Sequence, residues 1–473
     1  MVSFEKIIRV IRLKVLNKPG TLSKVIEVIA ANEVNLGDIK VVRVGTRYIT
    51  RDINVYVKTP HQFEKLIEEI KVTPNIKFIR AFDETYKAHE GGLLEIKSKV
   101  KIENMSDIEK YYLPGIARIA ETIDEDKTKV NEYTNILNTV GVITNGSALL
   151  NFQESSSEAA YAVMESYSAL LSEFVAVSPV PIVVETREKE KFVEVVENIH
   201  KSFGMIVLED LSSPGNVDIE EALKEKLSIP VIDGNQYGNA IATVAGLINI
   251  AKGVNINLKE CSVGYIGFGS KANGIHKLLT AYGVKETNAY EIKPEAIERV
   301  KKAGIEYVDD LNKLMQNSDI IIGTARIGGL IKFGMVKPGQ IILSLSKPEP
   351  EIKPEIAMKA GAKYAGDGRL INPLLVIPGI VKGTLAARAK KITLSMMMEA
   401  TNKLAEITIP GEILPSMFDE GLHDKIAEAV KQAAIDEGVA NLNDAETDEE
   451  SGVKDKAQDI FDKIRGMNEW VSS

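Results

Sequence analysis

A strand-like run, Glu260-Cys261-Ser262-Val263-Gly264-Tyr265-Ile266, leads straight into Gly267-x-Gly269-x-x-Ala272 and then into a helical stretch, Ala272–Leu279. In that order the residues can hold a dinucleotide. Gly267 permits a tight turn, Gly269 lets a pyrophosphate approach the backbone, and a small residue at Ala272 lets helix and strand pack closely. The anion then rests on the free N–H groups of a helix N-terminus, with Ser270 in the loop and Lys271 adding positive charge. The next strand, Glu286–Tyr290, ends in Glu291, an acid placed to hold a ribose hydroxyl pair and to disfavour a 2′-phosphate. The candidate cofactor-binding residues are Gly267, Gly269, Ser270, Lys271, Ala272 and Glu291, and the cofactor they imply is NAD rather than NADP. A Rossmann-shaped scaffold with a vestigial ligand site would show the same loop.

A chain of 473 residues exceeds what one core usually holds, so two or three domains are expected. The composition, 44% hydrophobic and 26% charged, is that of a globular chain. A formal charge of −9 without a basic block gives no reason to expect a nucleic acid or a membrane as partner. The single cysteine, Cys261, forbids an intrachain disulfide and fits a reducing, cytoplasmic setting. At the start of an apolar run it reads as a buried, inert thiol. The first residues lack an apolar signal core, and no apolar run reaches the roughly 18 residues that a bilayer span needs.

Residues 7–83 alternate as strand (Ile7–Leu16), helix (Leu22, Val25, Ile26 and Ile29 at helical spacing), two strands (Asp38–Val44, Tyr48–Val57), helix (His61–Ile70) and strand (Lys77–Phe82). That is a ferredoxin-like α+β order. With Asn17-Lys18-Pro19-Gly20-Thr21-Leu22 at the first turn and Val34-Asn35-Leu36 after the first helix, it resembles an ACT domain. The resemblance implies a small effector, often an amino acid, at Pro19, Gly20 and Thr21. A dimerisation module without a ligand is the alternative.

Beyond a linker, β-rich runs at Val140–Ile143, Pro181–Val184, Ile206–Leu208 and Ile229–Ile232 alternate with helices, which is α/β patterning. Helices at Ala240–Ala251, Thr384–Ala405 and His423–Asp436 frame the nucleotide unit. The expected division is 1–85 regulatory domain, 86–100 linker, 101–238 substrate and metal domain, 239–440 nucleotide-binding domain, and 441–473 tail. In that tail Asn443–Glu450 is acidic and apolar-poor, so disorder is expected from its composition, and a short amphipathic helix, Ala457–Ile464, is expected before Trp470.

Between Lys99 and Ala440 a series of short motifs occurs in order: Tyr112-Leu113-Pro114-Gly115, Met164-Glu165-Ser166-Tyr167, Leu208-Glu209-Asp210, the polar turn Asp233–Gly238, Pro378-Gly379-Ile380 and Ile413-Leu414-Pro415-Ser416. With the nucleotide loop, this series resembles the malic enzymes of the prokaryotic, NAD-dependent type. The resemblance implies a Rossmann-type NAD-binding domain plus an α/β substrate domain, a symmetric homodimer, and oxidative decarboxylation of malate to pyruvate. That reaction needs a divalent ion as Lewis acid, a base for the hydroxyl proton and an acid for the carbanion. The resemblance places the metal at Glu209, Asp210 and Asn235, where Mg²⁺ or Mn²⁺ prefers hard oxygen ligands. It places the proton donor at Tyr112 and the base at Tyr167.

Several of these positions depart from the family pattern. Asn235 and Gly234 stand where the family has a pair of aspartates, Tyr167 stands for a lysine, and Asn145 for an aspartate. Lys347 and Pro373 replace two asparagines that contact the substrate. A tyrosine with a pKa of about 10 is a poor base at neutral pH, and losing a positioned base costs on the order of 10²–10⁴ in rate. The expectation is an NAD-binding protein with a sensing or regulatory role. The alternative is an active NAD-dependent malate dehydrogenase (oxaloacetate-decarboxylating), or an oxidoreductase on a related acid.

Overall fold

Alternating burial along β1 (Ile7–Leu16) points Ile11, Leu13 and Val15 at one face and leaves Arg12 and Lys14 on the other. The computed structural model describes residues 7–149 and 156–441. The chain divides into two units, residues 1–95 and 96–473.

In the first unit β1 is followed by α1 (Thr21–Ala31), β2 (Asn35–Val44), β3 (Tyr48–Val57), α2 (Pro60–Val72), β4 (Ile76–Phe82) and α3 (Glu84–His89). The antiparallel sheet runs β2-β3-β1-β4. Helices α1 and α2 press Val25, Ile29, Leu66 and Ile70 onto Leu13, Ile53 and Val55. Gly20 turns the chain into α1 with φ 81, a conformation that glycine adopts without strain. Thr59 caps α2 by accepting from Gln62 N, with Pro60 at the first helical position. The ferredoxin-like order read from the sequence is the observed one. The stretch read as linker is helical through His89 because Asp83 caps it, accepting from Thr85 N at 2.9 Å.

In the second unit α4 (Met105–Tyr111), α5 (Gly115–Glu125) and the single turn α6 (Val130–Tyr133) precede β5 (Thr139–Thr144), α7 (Ser157–Val175), β6 (Ser178–Val183) and α8 (Lys189–Ile199). Then come β7 (Met205–Leu208), α9 (Gly215–Lys226), β8 (Val231–Asp233) and α10 (Gly234–Gly253). These strands form a parallel sheet ordered β6-β5-β7-β8. A second parallel sheet follows, ordered β11-β10-β9-β12-β13-β14. Its strands are β9 (Val263–Ile266), β10 (Thr287–Tyr290), β11 (Glu306–Tyr307), β12 (Ile320–Gly323), β13 (Ile341–Ser344) and β14 (Tyr364–Asp367). Between them run α11 (Ser270–Tyr282), α12 (Pro294–Lys302), α13 (Leu311–Asn317) and α14 (Pro354–Lys359). Helices α15 (Ile377–Ala386), α16 (Leu394–Ile407) and α17 (Leu422–Asp436) complete the described chain.

Helix α10 is buried almost all round, as a helix apolar on every face must be. Its side chains join those of β5 and β7 to those of β9 and α11 in one continuous core. The polar segment Asp233–Gly238, read as a turn, is therefore the start of this helix. Asp233 caps it by accepting from Gln236 N at 2.8 Å, and the division expected at 238/239 falls inside it. The strand read from Glu260 begins at Val263, because Leu258–Glu260 form a 3-10 turn capped by Asn257. The stretch Thr384–Ala405 is two helices, since Thr393 starts a new one by capping Met396 N. Asn443–Glu450, Ala457–Ile464 and Trp470 lie outside the described residues. Among the described residues no helix is long and apolar enough to cross a membrane.

Candidate functional site

Parallel strands end at a common edge, and the candidate residues gather at the ends of β7 and β9. Beyond β7, Glu209 N donates to Ile143 O (3.0 Å) and Asp210 takes the left-handed conformation (φ 50). The Asp210 carbonyl accepts from Ala148 N at 2.9 Å, so this corner is tied to the turn after β5. In that turn Asn145 is buried and accepts from Ser147 N.

Glu209 is 4% exposed, and its Oε1 has no hydrogen-bond partner. A Cβ built at Gly234 would lie 2.0 Å from that oxygen. The carboxylate thus occupies the space a side chain at 234 would take. Tyr167, on α7, approaches the same carboxylate with a buried hydroxyl that misses ordinary hydrogen-bond geometry. Burial foremost, then the neighbouring Asp210 and Asp233, holds the Glu209 carboxyl well above the usual carboxylate range. Burial and Glu209 likewise raise the Tyr167 hydroxyl further from neutrality. A phenol so placed is a donor, not a base.

Asn235 donates from Nδ2 to Asp210 Oδ1 at 2.7 Å. Asp233 does not shift toward the acid pair. Its oxygens accept from Gln236 N (2.8 Å) and Asn216 Nδ2 (2.6 Å), which commits it to the cap of α10. Among the described residues no three His, Cys, Asp or Glu side chains are placed to hold a metal ion. Where the resemblance places the metal's ligands there are two carboxylates and an amide beside a phenol, and the amide presents its N–H to Asp210. Tyr112 ends α4, 65% exposed, and no hydrogen bond joins it to Tyr167 or Glu209. The structure gathers Tyr167, Glu209, Asp210 and Asn235 but leaves Tyr112 outside the group.

The nucleotide loop has the shape its residues require. Gly267 sits at φ 82, and a Cβ there would lie 2.9 Å from Ala325 Cα. Gly269 starts α11, where a Cβ would meet nothing closer than Ser213 Oγ at 3.5 Å. Ala272 is fully buried, and Gly274 brings α11 close to Ala240 on α10. Ser270 N donates to Ser213 Oγ at 3.2 Å, which brings the loop after β7 to the loop after β9. Glu291 accepts from Phe268 N at 2.9 Å and from Ile292 N and Lys293 N, so its carboxylate lies over the loop. These residues fit a dinucleotide.

The sequence reading did not foresee the company of Lys271. The loops carrying Arg326 and Lys347 flank it, and burial plus those two cations pushes its amine down to about 8. Pro373 packs against α10, its Cβ 2.6 Å from where a Cβ of Gly238 would sit. Cys261 is buried, its thiol donating to Asn257 O at 3.3 Å, and burial raises its pKa.

In the first unit an open groove of about 400 Å³ is lined by Leu16, Asn17, Lys18, Thr46 and Arg47. Pro19, Gly20 and Thr21 do not line it. Gly20 serves the turn, and Thr21 is buried at the start of α1.

Similarity to known proteins covers both units. A family model described as ACT domain matches residues 6–80. The NAD-dependent malic enzyme 1 of Bacillus subtilis is 35% identical over 429 residues, 90% of this chain and 98% of that protein. This chain belongs to the malic enzyme family. The bifunctional malic/malolactic enzyme of the same organism is 35% identical over 74% of this chain and 92% of its own length. Among solved structures, the malic enzyme of Pyrococcus horikoshii aligns with a TM-score of 0.71 at 30% identity, over 76% of this chain and 91% of that one. The NAD-dependent malic enzyme of Thermotoga maritima aligns at 0.68 and 31%, over 73% and 98%. As a malic enzyme family member, the chain combines the family's parallel-sheet architecture with an N-terminal ACT domain.

Proposed function

We propose that this member of the malic enzyme family binds NAD at the Gly267–Ala272 loop and reads an organic acid beside it, without the metal-assisted turnover of malate. The observation that carries this reading is the position of the Glu209 carboxylate in the space that a side chain at 234 would fill. The acid pair has acquired neutral neighbours, Tyr167 for Glu209 and the Asn235 amide for Asp210. A divalent ion would have to displace that amide and would meet two carboxylates instead of three. Tyr167, which stands where the resemblance places the base, is held as a neutral phenol and does not take the proton of a hydroxy acid at neutral pH.

NAD is supported by the loop, by the Glu291 carboxylate, and by the NAD-dependent relatives. In this reading residues 101–238 carry the altered acid pair, 239–440 hold the nucleotide, and 1–85 take a small effector, with Lys18 and Arg47 suiting a carboxylate in the groove. The exposed apolar side chains around Tyr112 (Met105, Tyr111 and Leu113) support a homodimer. A second reading, oxidation of a related acid with NAD, is favoured by the lowered amine of Lys271, which offers a base that Tyr167 does not.

Spectrophotometry of the full chain with NAD⁺, Mn²⁺ and L-malate tests the first reading. It expects no NADH, together with a rise in melting temperature on NAD⁺ alone by mass action. Sustained NADH production would overturn it. NADH appearing only with other 2-hydroxy acids would establish the second reading.

A further inference from the structure

The register of the antiparallel sheet in the first unit lines up two rows of side chains on the face turned away from α1 and α2. One row reads Lys40, Asp52, Arg12 and Arg80, from β2 through β3 and β1 to β4. The next row, two residues along β1, reads Arg43, Thr50, Lys14 and Lys77. Six of these eight side chains are cationic. Asp52, the one acid among them, is taken by Arg12 in a two-point contact of 2.6 and 2.7 Å. Lys14, Lys40, Arg43, Lys77 and Arg80 are exposed, and among the described residues no ion pair joins them to a carboxylate. Glu27, Glu64 and Glu68 ride on α1 and α2, behind the sheet.

This arrangement works against the sheet's own stability. Arg12 faces Arg80 and Lys14 faces Lys77 directly across the β1–β4 ladder, and like charges so placed are destabilising. A bound polyanion relieves the repulsion, and an extended one is needed to follow rows that cross four strands, about 14 Å at the usual strand spacing. Aromatic side chains flank the two rows. Tyr48, which pairs with Leu16 beyond Lys14, has Lys77 Nζ 5.3 Å from its ring centroid. Phe82, on the far side of Arg80, has the Arg80 and Arg12 guanidiniums at 5.1 and 5.7 Å. Rings and guanidinium planes are surfaces on which unpaired bases stack, while cations between them track phosphates. A whole-chain charge of −9 conceals this face, because its cations are dispersed over four strands. We propose that it binds a single-stranded nucleic acid, with phosphates along the two cationic rows and bases against Tyr48 and Phe82.

Fluorescence anisotropy of a labelled single-stranded RNA of about 12 nucleotides, titrated with the full chain, tests this. With about five phosphate contacts, affinity should fall about a hundredfold between about 50 and 200 mM salt. Lys14→Gln with Lys77→Gln should weaken binding by about tenfold or more and flatten that salt dependence. The same pair should melt no lower than the parent, since two opposed cations are gone, so a folding defect cannot mimic the loss. Lys24→Gln with Lys65→Gln removes equal charge from α1 and α2, and RNA binding should hold. No anisotropy change at about 50 mM salt would overturn the proposal. So would an equal loss in the Lys24 and Lys65 pair, or displacement by saturating NAD⁺, which would move the RNA to the nucleotide loop. Inorganic polyphosphate competing equally well per phosphate, or a duplex of the same sequence binding as tightly, would also overturn it by giving the face to a plain polyanion.

Discussion

Asn235 turns its amide nitrogen onto Asp210, with Nδ2 standing 2.7 Å from Oδ1. A metal ligand would offer the amide oxygen to an ion. Here it is the amide hydrogen that meets the carboxylate. Asn235→Asp replaces that donor with a second carboxylate. In EDTA it should lower stability by about 1–3 kcal/mol, the cost of leaving a partly buried acid without its donor. Urea unfolding measures this, and an unchanged midpoint would show that Asp210 does not rely on Asn235.

Glu209 and Gly234 cannot both have long side chains in their present places, because a Cβ at 234 would come within 2.0 Å of Oε1. Gly234→Ala should destabilise the fold by about 1–3 kcal/mol, as overpacking of a dense core does. The same change should cost much less in a Glu209→Ala background, since the clash is gone. A double-mutant cycle reads the coupling directly. Additive effects would mean that Glu209 moves aside freely.

The two loop glycines make opposite predictions. At Gly267 (φ 82, Ala325 backbone at 2.9 Å) alanine should destabilise the protein even without a ligand. At Gly269 a Cβ meets only Ser213 Oγ at 3.5 Å, so Gly269→Ala should fold as the parent does. It should nevertheless weaken NAD⁺ binding, because the pyrophosphate needs that surface. Melting curves with and without NAD⁺ distinguish the two variants. Full NAD⁺ stabilisation of Gly269→Ala would remove the cofactor from this loop.

The amine of Lys271 is pushed down from 10.5 to about 8 by burial and by Lys347 and Arg326. Between those two pH values the unfolded chain binds more protons than the folded one, so stability rises with pH across that window. Below about 8 the folded protein carries the full unfavourable charge. Lys271→Met should therefore raise the melting temperature at pH 7, with the gain disappearing towards pH 10.5. Melting temperatures of the parent and Lys271→Met from pH 7 to 10.5 measure this, and a gain that does not vary with pH would contradict it.

What the sequence made legible, and what it did not, follows from the range of the interactions. The first unit could be read because period-two burial and the Gly20 turn are local signals. The loop Gly267–Ala272 was legible for the same reason, since three small residues at fixed spacing specify one backbone path. Asp233–Gly238 misled because polar residues and glycines resemble a turn, whereas tertiary burial on both sides makes them helical. Cys261 was read into a strand that starts later, where Asn257 caps a short turn first. The cation cluster could not be seen at all. Lys271, Arg326 and Lys347 are far apart in the chain, and only the parallel order of β9, β12 and β13 brings them to one edge. Tyr112 matched a motif by its neighbours, yet its exposed place just after α4 has no local signature.

Manganese calorimetry on the full chain tests the central claim most directly, because the claim is that neutral donors have replaced the ion at Glu209 and Asp210. The parent should give no saturable heat, while the triple variant Tyr167→Lys, Gly234→Asp, Asn235→Asp should bind one Mn²⁺. Saturable one-to-one binding to the parent, lost in Glu209→Gln, would contradict the account.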